Sequence, residues 1–402
     1  MRDIQILQET LTNHCPTIHK KRLQSLLLAT ESALGGADLT LTKLGRSLNT
    51  FTAAKHAIKR VDRLLGNTRL HREKEDIYKW NARLIAGANP CPVILLDWSD
   101  VREQLRFMTL RASIALDGRA VTLYEQAFEY AQYNSPKTHQ YFLDKLQEIL
   151  PPSATPIIIS DAGFRNTWFR QVQSKGWFWL GRVRGDVSIK MTQSDWQSNK
   201  TLYPDATSKP HSLGQCQLAR RSPLTCNGYL VKQQPKGRKA QRHSRTGQKH
   251  TASRLFAKNA NEPWLLVTNI PTETLNAVQI CRLYAKRMQI EEAFRDLKST
   301  AYGLALRHNR TRCPKRLNIL LLIGLLAEIL MWWNGLAATQ AKWQYDFQAN
   351  TIKHRRVLSI PRLGREVRKR QRYVISEQQY RWAMREYQQL THYSGLCANI
   401  NS

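Results

Sequence analysis

Four side chains with complementary chemistry share one side of a predicted helix. The stretch 284–298 contains no Gly or Pro and is rich in good helix formers, which predicts a helix. At about 100° per residue, one side would carry Tyr284, Arg287, Glu291 and Lys298. These groups are costly to bury unpaired, so this side is better suited to a metal ion and phosphates than to a core. A solvated helix with i,i+4 ion pairs is the alternative.

Two apolar runs, each followed by an aspartate, predict further acidic groups. The runs 93–96 and 156–160 are typical of buried strands and lead into Asp97 and Asp161. If the strands are adjacent and parallel, both carboxylates reach the sheet edge at which open α/β sheets place their sites. Each aspartate could instead form a turn or cap a helix, and Asp100 competes with Asp97.

Three converging carboxylates would bind hard divalent cations and leave positions for phosphate oxygens and water. The candidates are Asp97, Asp161 and Glu291. Two ions roughly 3.5–4 Å apart would activate an attacking oxygen and stabilise the leaving one in an in-line displacement at phosphorus. The predicted chemistry is metal-dependent phosphoryl transfer.

The charge balance indicates a polyanionic partner. The chain has 62 Lys and Arg against 30 Asp and Glu, a formal net charge of +32. Nucleic acid is the commonest such partner, and a membrane surface is the alternative. The first residues include charges and form no apolar h-region, and the apolar run 317–333 contains Asn318 and Glu328, so we expect a buried core helix and no membrane association. The seven cysteines form no CxxC and no zinc-ligand spacing, which predicts free thiols.

The residue pattern predicts an α/β core that is interrupted by a basic, mostly β insertion and flanked by helical regions. The first part of the core has the order β-β-β-α-β-α-β. The predicted segments are 1–85 (helical, DNA-binding), 90–185 (first part of the core), 186–270 (basic β-rich insertion), 271–340 (second part of the core) and 341–402 (basic, helical).

The N-terminal segment predicts two short helices that are broken near Gly45. The pattern fits a helix-turn-helix that offers Lys55, Lys59 and Arg60 to DNA phosphates or groove edges. A charged face on an ordinary small helical domain is the alternative interpretation.

The insertion is strongly basic. Residues 206–261 hold 12 Lys and Arg and no Asp or Glu. We expect Lys236, Arg238 and Lys239 to follow the DNA backbone without reading sequence, and a disordered linker is the alternative for this part. A strand that begins at Trp264 ends the insertion.

The order of these residues resembles the DDE transposases, which share the ribonuclease H-like fold. Asp97, Asp161 and Glu291 occur in the order of that family's catalytic residues, on a β-β-β-α-β-α-β…α pattern. The stretch 284–298 matches all four positions of Tyr-x2-Arg-x3-Glu-x6-Lys. That signature marks a group of bacterial insertion-sequence transposases that cut and paste through DNA hairpins.

The resemblance implies a metal site and a reaction. Asp97, Asp161 and Glu291 would be ligands of Mg²⁺, with Mn²⁺ as a substitute. The enzyme would bind the terminal inverted repeats of its element, nick the DNA, form and reopen a hairpin, and join the ends to target DNA. Joining two ends requires a homodimer in the DNA complex, and no small-molecule substrate is expected. The protein would act in the bacterial cytoplasm, associated with the nucleoid.

The resemblance also implies contacts with DNA. Tyr284, Arg287 and Lys298 would hold phosphates at the transposon end. By its position, Trp264 would stack on a base flipped out near the hairpin; an ordinary packing role in the insertion is the alternative. Further expected contacts, after the second aspartate, are Arg182 and Arg184.

Two other functions remain open at this point. A nuclease of the same fold would hydrolyse DNA without joining it. A DNA-binding regulator without catalysis would explain the net charge of +32 but would give the three carboxylates no purpose.

Overall fold

A computed structural model describes residues 2–87, 89–101, 106–116, 118–233 and 262–390. The helices are α1 (Arg2–His14), α2 (Lys20–Leu34), α3 (Leu41–Arg46), α4 (Ala54–Leu65), α5 (Leu70–Ala86), α6 (Pro136–Ile149), α7 (Asn166–Gln173), α8 (Ala277–Ala285), α9 (Met288–Lys298), α10 (Pro314–Gln340), α11 (Ile360–Arg368) and α12 (Glu377–Gln389). The strands are β1 (Val93–Asp100), β2 (Phe107–Ala115), β3 (Ala120–Glu129), β4 (Ile157–Ser160), β5 (Phe178–Val183), β6 (Ser188–Met191), β7 (Gln197–Ser198), β8 (His211–Leu218), β9 (Leu224–Val231) and β10 (Trp264–Thr268).

The strands form a mixed sheet in the order β3-β2-β1-β4-β5-β10-β9-β8-β6-β7. β4 and β5 are parallel, whereas β2 is antiparallel to β3. β10 pairs antiparallel with β5 on one side and with β9 on the other. The predicted α/β class and the order β-β-β-α-β-α-β are therefore confirmed. The strands of the insertion do not form a sheet of their own, because β10 connects them to the core strands.

The described residues group into two compact units. Those of Met1–Pro92, Leu96–Ala154 and Gln289–Gly395 form the first unit. Those of Val93–Leu95 and Thr155–Met288 form the second. The first unit contains the N-terminal helices, the β2–β3 hairpin and α9 to α12, and the second contains the strands from β4 onward.

The core of the first unit is built around α10. Within the part of the chain that the structure describes, α10 is the one helix long and apolar enough to cross a membrane, and 89% of its most apolar window is buried in the protein. It packs against β3, α2, α4, α5, α11 and α12. The prediction of a buried core helix is confirmed, since a helix that is apolar all round is stable in the centre of a domain.

The helical stretch 284–298 is broken, contrary to the prediction of one helix. α8 ends at Ala285, and Lys286 and Arg287 form a turn before α9 begins. In this turn the Lys286 N–H donates to the Leu283 carbonyl at 3.2 Å, an i→i−3 bond that tightens the chain. The predicted strip of four groups on one helix is therefore wrong, although the residues remain close in sequence.

The first acidic strand is longer than predicted. β1 does not end at Asp97 but continues to Asp100. Its first four residues are buried, and the next four are half-buried. Asp97 is thus the first residue at which the strand emerges from the core. Asp100 stands three positions away, and alternation places it on the opposite face.

The N-terminal helices approach each other closely at Gly45. α3 and α4 correspond to the two predicted helices, and the connection 47–53 has seven residues, longer than the 3–4-residue turn usual in helix-turn-helix motifs. A Cβ atom at Gly45 would lie 2.5 Å from the Ile58 Cα atom. The absent side chain of Gly45 is what allows α3 to pack on α4.

We expect Gly45→Ala to lower the free energy of unfolding by about 1–3 kcal/mol, because the added methyl group meets main-chain atoms that cannot rotate away. Gly35→Ala is the control: the new Cβ atom would lie 3.4 Å from its nearest neighbour, and little change is expected. Urea unfolding of both variants measures the difference. Equal stabilities would show that the two helices separate easily.

A half-buried acid lies on α10, the core helix of the first unit. The Glu328 carboxylate on α10 accepts a hydrogen bond from the Thr122 hydroxyl at 2.9 Å. Burial raises the pKa of Glu328 from 4.5 to about 7, while Arg111 and the Thr122 hydrogen bond oppose the rise, and Glu125 and Asp296 add to it. Between these two pKa values the folded chain binds a proton that the unfolded chain has lost.

Stability should therefore fall as pH rises through the window from about 4.5 to about 7. We expect Glu328→Gln to remove this contribution and to gain about 1–3 kcal/mol relative to the wild type between pH 5 and pH 8. Unfolding curves at the two pH values measure it, with the exposed Glu148→Gln as control. A parallel pH dependence of wild type and Glu328→Gln would contradict the assignment.

Candidate active site

Asp97 is the first residue of β1 that is not fully buried, and the next residue, Trp98, fixes the strand at this point. The Asp97 Oδ1 atom accepts the Trp98 backbone N–H at 2.8 Å. The Trp98 indole N–H donates to the His139 Nε2 atom at 3.1 Å. Burial lowers the pKa of His139 to about 4, so the ring is neutral and Nε2 can accept this bond. A rigid aromatic anchor therefore holds the strand beside the carboxylate.

Asp161 follows the fully buried strand β4 and caps a tight turn. Its Oδ1 atom accepts the Gly163 N–H at 2.9 Å, and its carbonyl accepts the Phe164 N–H at 3.3 Å. A Cβ atom at Gly163 would lie 3.0 Å from the Asp161 Oδ1 atom. The position after the strand is as predicted, and Gly163 leaves room for this orientation of the carboxylate.

Glu291 lies in the first turn of α9, where a negative charge is favourable. A buried ion pair on the β2–β3 hairpin packs against the same helix. Arg111 on β2 donates two hydrogen bonds to the Glu125 carboxylate on β3, at 2.9 and 2.7 Å. The Arg111 guanidinium also lies 4.4 Å from the centre of the Phe294 ring on α9. The hairpin therefore positions the helix that carries Glu291.

Two further contacts fix α9 on the β2–β3 hairpin. The Gln289 side chain accepts the Leu116 N–H at 3.0 Å and donates to the Leu116 carbonyl. The Arg119 guanidinium lies 3.2 Å from the Glu292 carboxylate and 3.5 Å from the Asp296 carboxylate, measured between nitrogen and oxygen. Glu291 thus lies between Gln289 and Glu292, which are both bound to the β2–β3 hairpin.

Lys298 is buried and fully engaged, contrary to its predicted place on an open strip. Its ammonium group donates to the Ser99 hydroxyl at 2.8 Å, to the Asp100 carbonyl at 3.1 Å and to the Asp100 carboxylate at 2.9 Å. An ammonium group has three N–H donors, and these contacts use all of them. Lys298 therefore ties the end of α9 to the end of β1 in this structure.

An aromatic and basic cluster in the second unit contains four of the predicted DNA contacts. The Tyr284 ring is 4% exposed and meets the Trp264 ring edge to face at a centroid distance of 5.1 Å. The Arg182 guanidinium lies 6.0 Å from the centre of the Trp264 ring. Arg182 donates to the Glu262 carbonyl at 3.1 Å, and Arg184 lies 3.4 Å from the Glu262 carboxylate. Trp264 is half-buried, so part of the indole remains accessible.

The other predicted contacts are spread along the chain. Arg287 is half-buried and lies in the turn between α8 and α9, 3.4 Å from the Met288 sulfur. Lys55 and Lys59 are exposed one helical turn apart on α4, whereas Arg60 donates to the Ser25 hydroxyl at 3.0 Å. Outside the described residues lie Lys236, Arg238 and Lys239.

The donor chemistry of the three carboxylates fits a hard divalent cation. Within the described residues, the Oδ2 atom of Asp161 has no hydrogen-bond partner, so it can accept an ion beside the turn. In the same ranges, no three His, Cys, Asp or Glu side chains are close enough together to hold a metal. The six described cysteines are free thiols. A shared metal site for Asp97, Asp161 and Glu291 stays a prediction.

A mixed sheet with aspartates on the neighbouring strands β1 and just after β4, followed by a glutamate on a helix, defines an α/β protein of the ribonuclease H-like class. Residues 90–330 match the family model described as the transposase DDE domain. The match covers more than half of the chain, which therefore belongs to this family. Members are metal-dependent enzymes that bind DNA, cut it and transfer strands. A comparison with curated proteins gives no match.

The residues that position α9 were missed by reasoning from the sequence. Arg111 and Glu125 are charged residues inside strands that are otherwise almost fully buried. They are direct partners across the hairpin. The sequence did contain a signal for this pair, because one apolar run carries a single positive charge and the next run, after the turn, carries a negative one. Gln289 and Arg119 carry no such signal, because their partners are distant along the chain.

We expect Gly163→Ala to reduce DNA cleavage about tenfold or more, because the methyl group would press on the Asp161 carboxylate and small misplacements of a reacting group are costly. The free energy of unfolding should change by less than about 1 kcal/mol, since the side chain can move aside. Gly228→Ala, whose new Cβ atom would lie 3.4 Å from the Cys216 sulfur, is the matched control. Full activity of Gly163→Ala would mean that this orientation of Asp161 is unimportant.

Proposed function

We propose that this protein is the cut-and-paste transposase of an insertion sequence. Within its family we place it in the group with the Tyr-Arg-Glu-Lys signature, similar to the transposase of insertion sequence ten. The observation that carries the proposal is the transposase DDE match over residues 90–330, which includes both aspartates and the signature stretch. The adjacency of β1 and β4 in the sheet supports it.

Asp97, Asp161 and Glu291 are the proposed ligands of Mg²⁺, with Mn²⁺ as a substitute. When bound, such ions lower the pKa of an attacking water or hydroxyl and neutralise charge on the phosphate. The chain itself supplies the orientation of each carboxylate. The anchor at Trp98 holds Asp97, the turn at Gly163 holds Asp161, and the β2–β3 hairpin holds the helix of Glu291.

The proposed reaction is one displacement repeated with different nucleophiles. Water first attacks a phosphodiester at the end of the element, and the P–O3′ bond breaks to leave a 3′-hydroxyl. This hydroxyl attacks a phosphodiester of the opposite strand, which closes a hairpin on the element end and releases the flanking DNA with a 3′-hydroxyl. A second water breaks the P–O3′ bond of the hairpin and regenerates the 3′-hydroxyl of the element. That hydroxyl then attacks a phosphodiester of the target DNA and displaces a target 3′-hydroxyl. Each step exchanges one P–O bond for another, so one set of carboxylates serves all four.

DNA binding at the terminal inverted repeats is assigned first to the aromatic and basic cluster of the second unit. Trp264 is the proposed platform for a base displaced near the hairpin, and such stacking is worth about 1–3 kcal/mol. Tyr284 packs against the Trp264 ring and fixes it. Arg182 adds positive charge beside the indole, and Arg184 adds charge in the same unit, where it pairs with Glu262. Lys298 would hold a phosphate only by exchanging one of its present contacts.

The remaining contacts and the assembly follow from the need to hold two ends of the element. Lys55, Lys59 and Arg60 on α4 are assigned to the DNA of the inverted repeat. We propose a homodimer in the DNA complex, because both ends must be joined to the target in concert.

We expect Asp97→Asn, Asp161→Asn and Glu291→Gln each to reduce nicking and strand transfer by a factor of about 1,000 or more, because each removes a charged ligand of the reacting centre. Binding to the end of the element should be unchanged. Glu377→Gln in the first unit and Asp195→Asn in the second are the control variants, because both carboxylates are exposed and neither positions a proposed ligand; they should retain most activity. Gel assays with end-labelled DNA in Mg²⁺ report nicks, hairpins and joined products separately.

The pattern of products separates the alternative functions. Nicks without hairpins or joined DNA would identify a hydrolytic nuclease. Binding without cleavage by the wild-type protein, in both Mg²⁺ and Mn²⁺, would identify a regulator. Wild-type rates in Asp97→Asn would refute the assignment of the carboxylates.

A further inference from the structure

A cavity of about 650 Å³ opens in the second unit directly beside Asp161. Its lining begins at Ala162, the next residue along the chain, whose Cα atom lies about 3.8 Å from that of Asp161. The lining is strongly basic, with one acidic residue, Asp186. We define the arginine groove as this cavity with its five arginines, Arg165, Arg182, Arg184, Arg220 and Arg221.

The fold brings these arginines together from three separate segments. Arg165 directly precedes α7, and Arg220 and Arg221 lie in the turn between β8 and β9. The Asn166 side chain donates to the Leu218 carbonyl at 3.1 Å. This bond joins the start of α7 to the end of β8, so the segments that carry the arginines are fixed to each other.

A second contact holds the turn from its other end. The Arg170 guanidinium on α7 donates to the Ser222 carbonyl at 3.3 Å and to the Pro223 carbonyl. The turn between β8 and β9 is therefore bound to α7 on both sides of Arg220 and Arg221. Cationic side chains on a fixed turn form a more definite binding surface than the same residues on a loose loop.

The charges of the groove are only partly balanced. Arg182 and Arg184 have contacts with Glu262, and the Asp186 carboxylate accepts a hydrogen bond from the Ser198 hydroxyl at 2.7 Å. The three other arginines are exposed and have no acidic partner within the described residues, namely Arg165, Arg220 and Arg221. Like charges held around one cavity repel each other, which favours an occupant with several negative charges.

We propose that the arginine groove binds successive phosphates of a DNA strand that runs past Asp161. Guanidinium groups match phosphate oxygens in charge and in bidentate geometry. The inference rests on the proposed function, because it takes the phosphodiester beside Asp161 to be near the reacting one. The shared chemistry is a DNA backbone, and its source is either the end of the element or the target.

The first test is the salt dependence of DNA binding. We expect the double variant Arg220→Gln with Arg221→Gln to reduce the slope of log K against log salt concentration by about 2, because each arginine that neutralises a phosphate adds about 1 to that slope. The double Lys variant should retain most of the slope. The probe is a duplex that carries the end of the element, and no divalent ion is added, so cleavage does not interfere.

The control removes the same charge elsewhere. Arg381 and Arg385 are exposed on α12 in the first unit, and their double Gln variant should change the slope by clearly less. The thermal unfolding midpoint of each variant should match that of the wild type, which confirms folding. Arg165→Gln, on a different segment of the groove, provides an independent variant and should reduce the slope by about 1.

The second test locates the phosphates. Neutral methylphosphonates are placed one at a time in the element end or in a target duplex offered to the end complex. The wild type should bind more weakly when the methylphosphonate occupies one of a few successive positions near the cut. At those positions the Arg220 and Arg221 double Gln variant should bind the substituted and the unsubstituted DNA equally well. The duplex in which these positions are found is the one whose strand occupies the groove.

The inference is overturned if the double Gln variant responds to every methylphosphonate in both duplexes as the wild type does. It is also overturned if the slope is unchanged while folding is intact. These outcomes can be distinguished from a failure of the proposed function, because they measure binding and not cleavage. Failure of the wild type to cleave or join DNA would reject the proposed function without altering the binding result.

Discussion

Arg111 and Glu125 form an ion pair at the centre of the first unit, with side chains only 2% and 1% exposed. Burial raises the pKa of Glu125, and the charge and hydrogen bonds of Arg111 oppose the rise. Breaking such a pair by removing one partner costs about 3–5 kcal/mol, because the other charge stays buried. The pair also fixes the register of the β2–β3 hairpin, where the two residues are direct partners. The position of Phe294, and with it the helix of Glu291, depends on this pair.

The three carboxylates are held by different means. Asp97 relies on a strand whose next residue is anchored to a neutral histidine, and Asp161 relies on a turn that needs a glycine. Glu291 relies on a helix bound to a hairpin at several points. Lys298 completes the arrangement by joining α9 to β1 through Asp100. Side chains that lie far apart in the sequence can be held accurately in this way without any one of them being rigid alone.

Reasoning from the sequence was most reliable where local signals decide the structure. Apolar runs identified β1 and β4, and the uniformly apolar stretch identified the buried helix α10. It was wrong where distant partners decide. Nothing near Lys286 predicts a break, because the break arises where Tyr284 packs on Trp264 and Gln289 bonds to Leu116. Helical spacing alone also predicted an exposed Lys298, although its partners Ser99 and Asp100 belong to a strand near the start of the core.

The place of β10 in the sheet has a consequence for engineering. The insertion leaves the core after β5 and returns to it as β10, which is paired with β5 on one edge and β9 on the other. Excision of residues 186–270 would strip one whole edge of β5 of its backbone hydrogen bonds and leave the strand next to β4 open to aggregation. A miniature version of this enzyme could not be made by trimming the insertion, whereas replacement of its outer strands would preserve the paired edge.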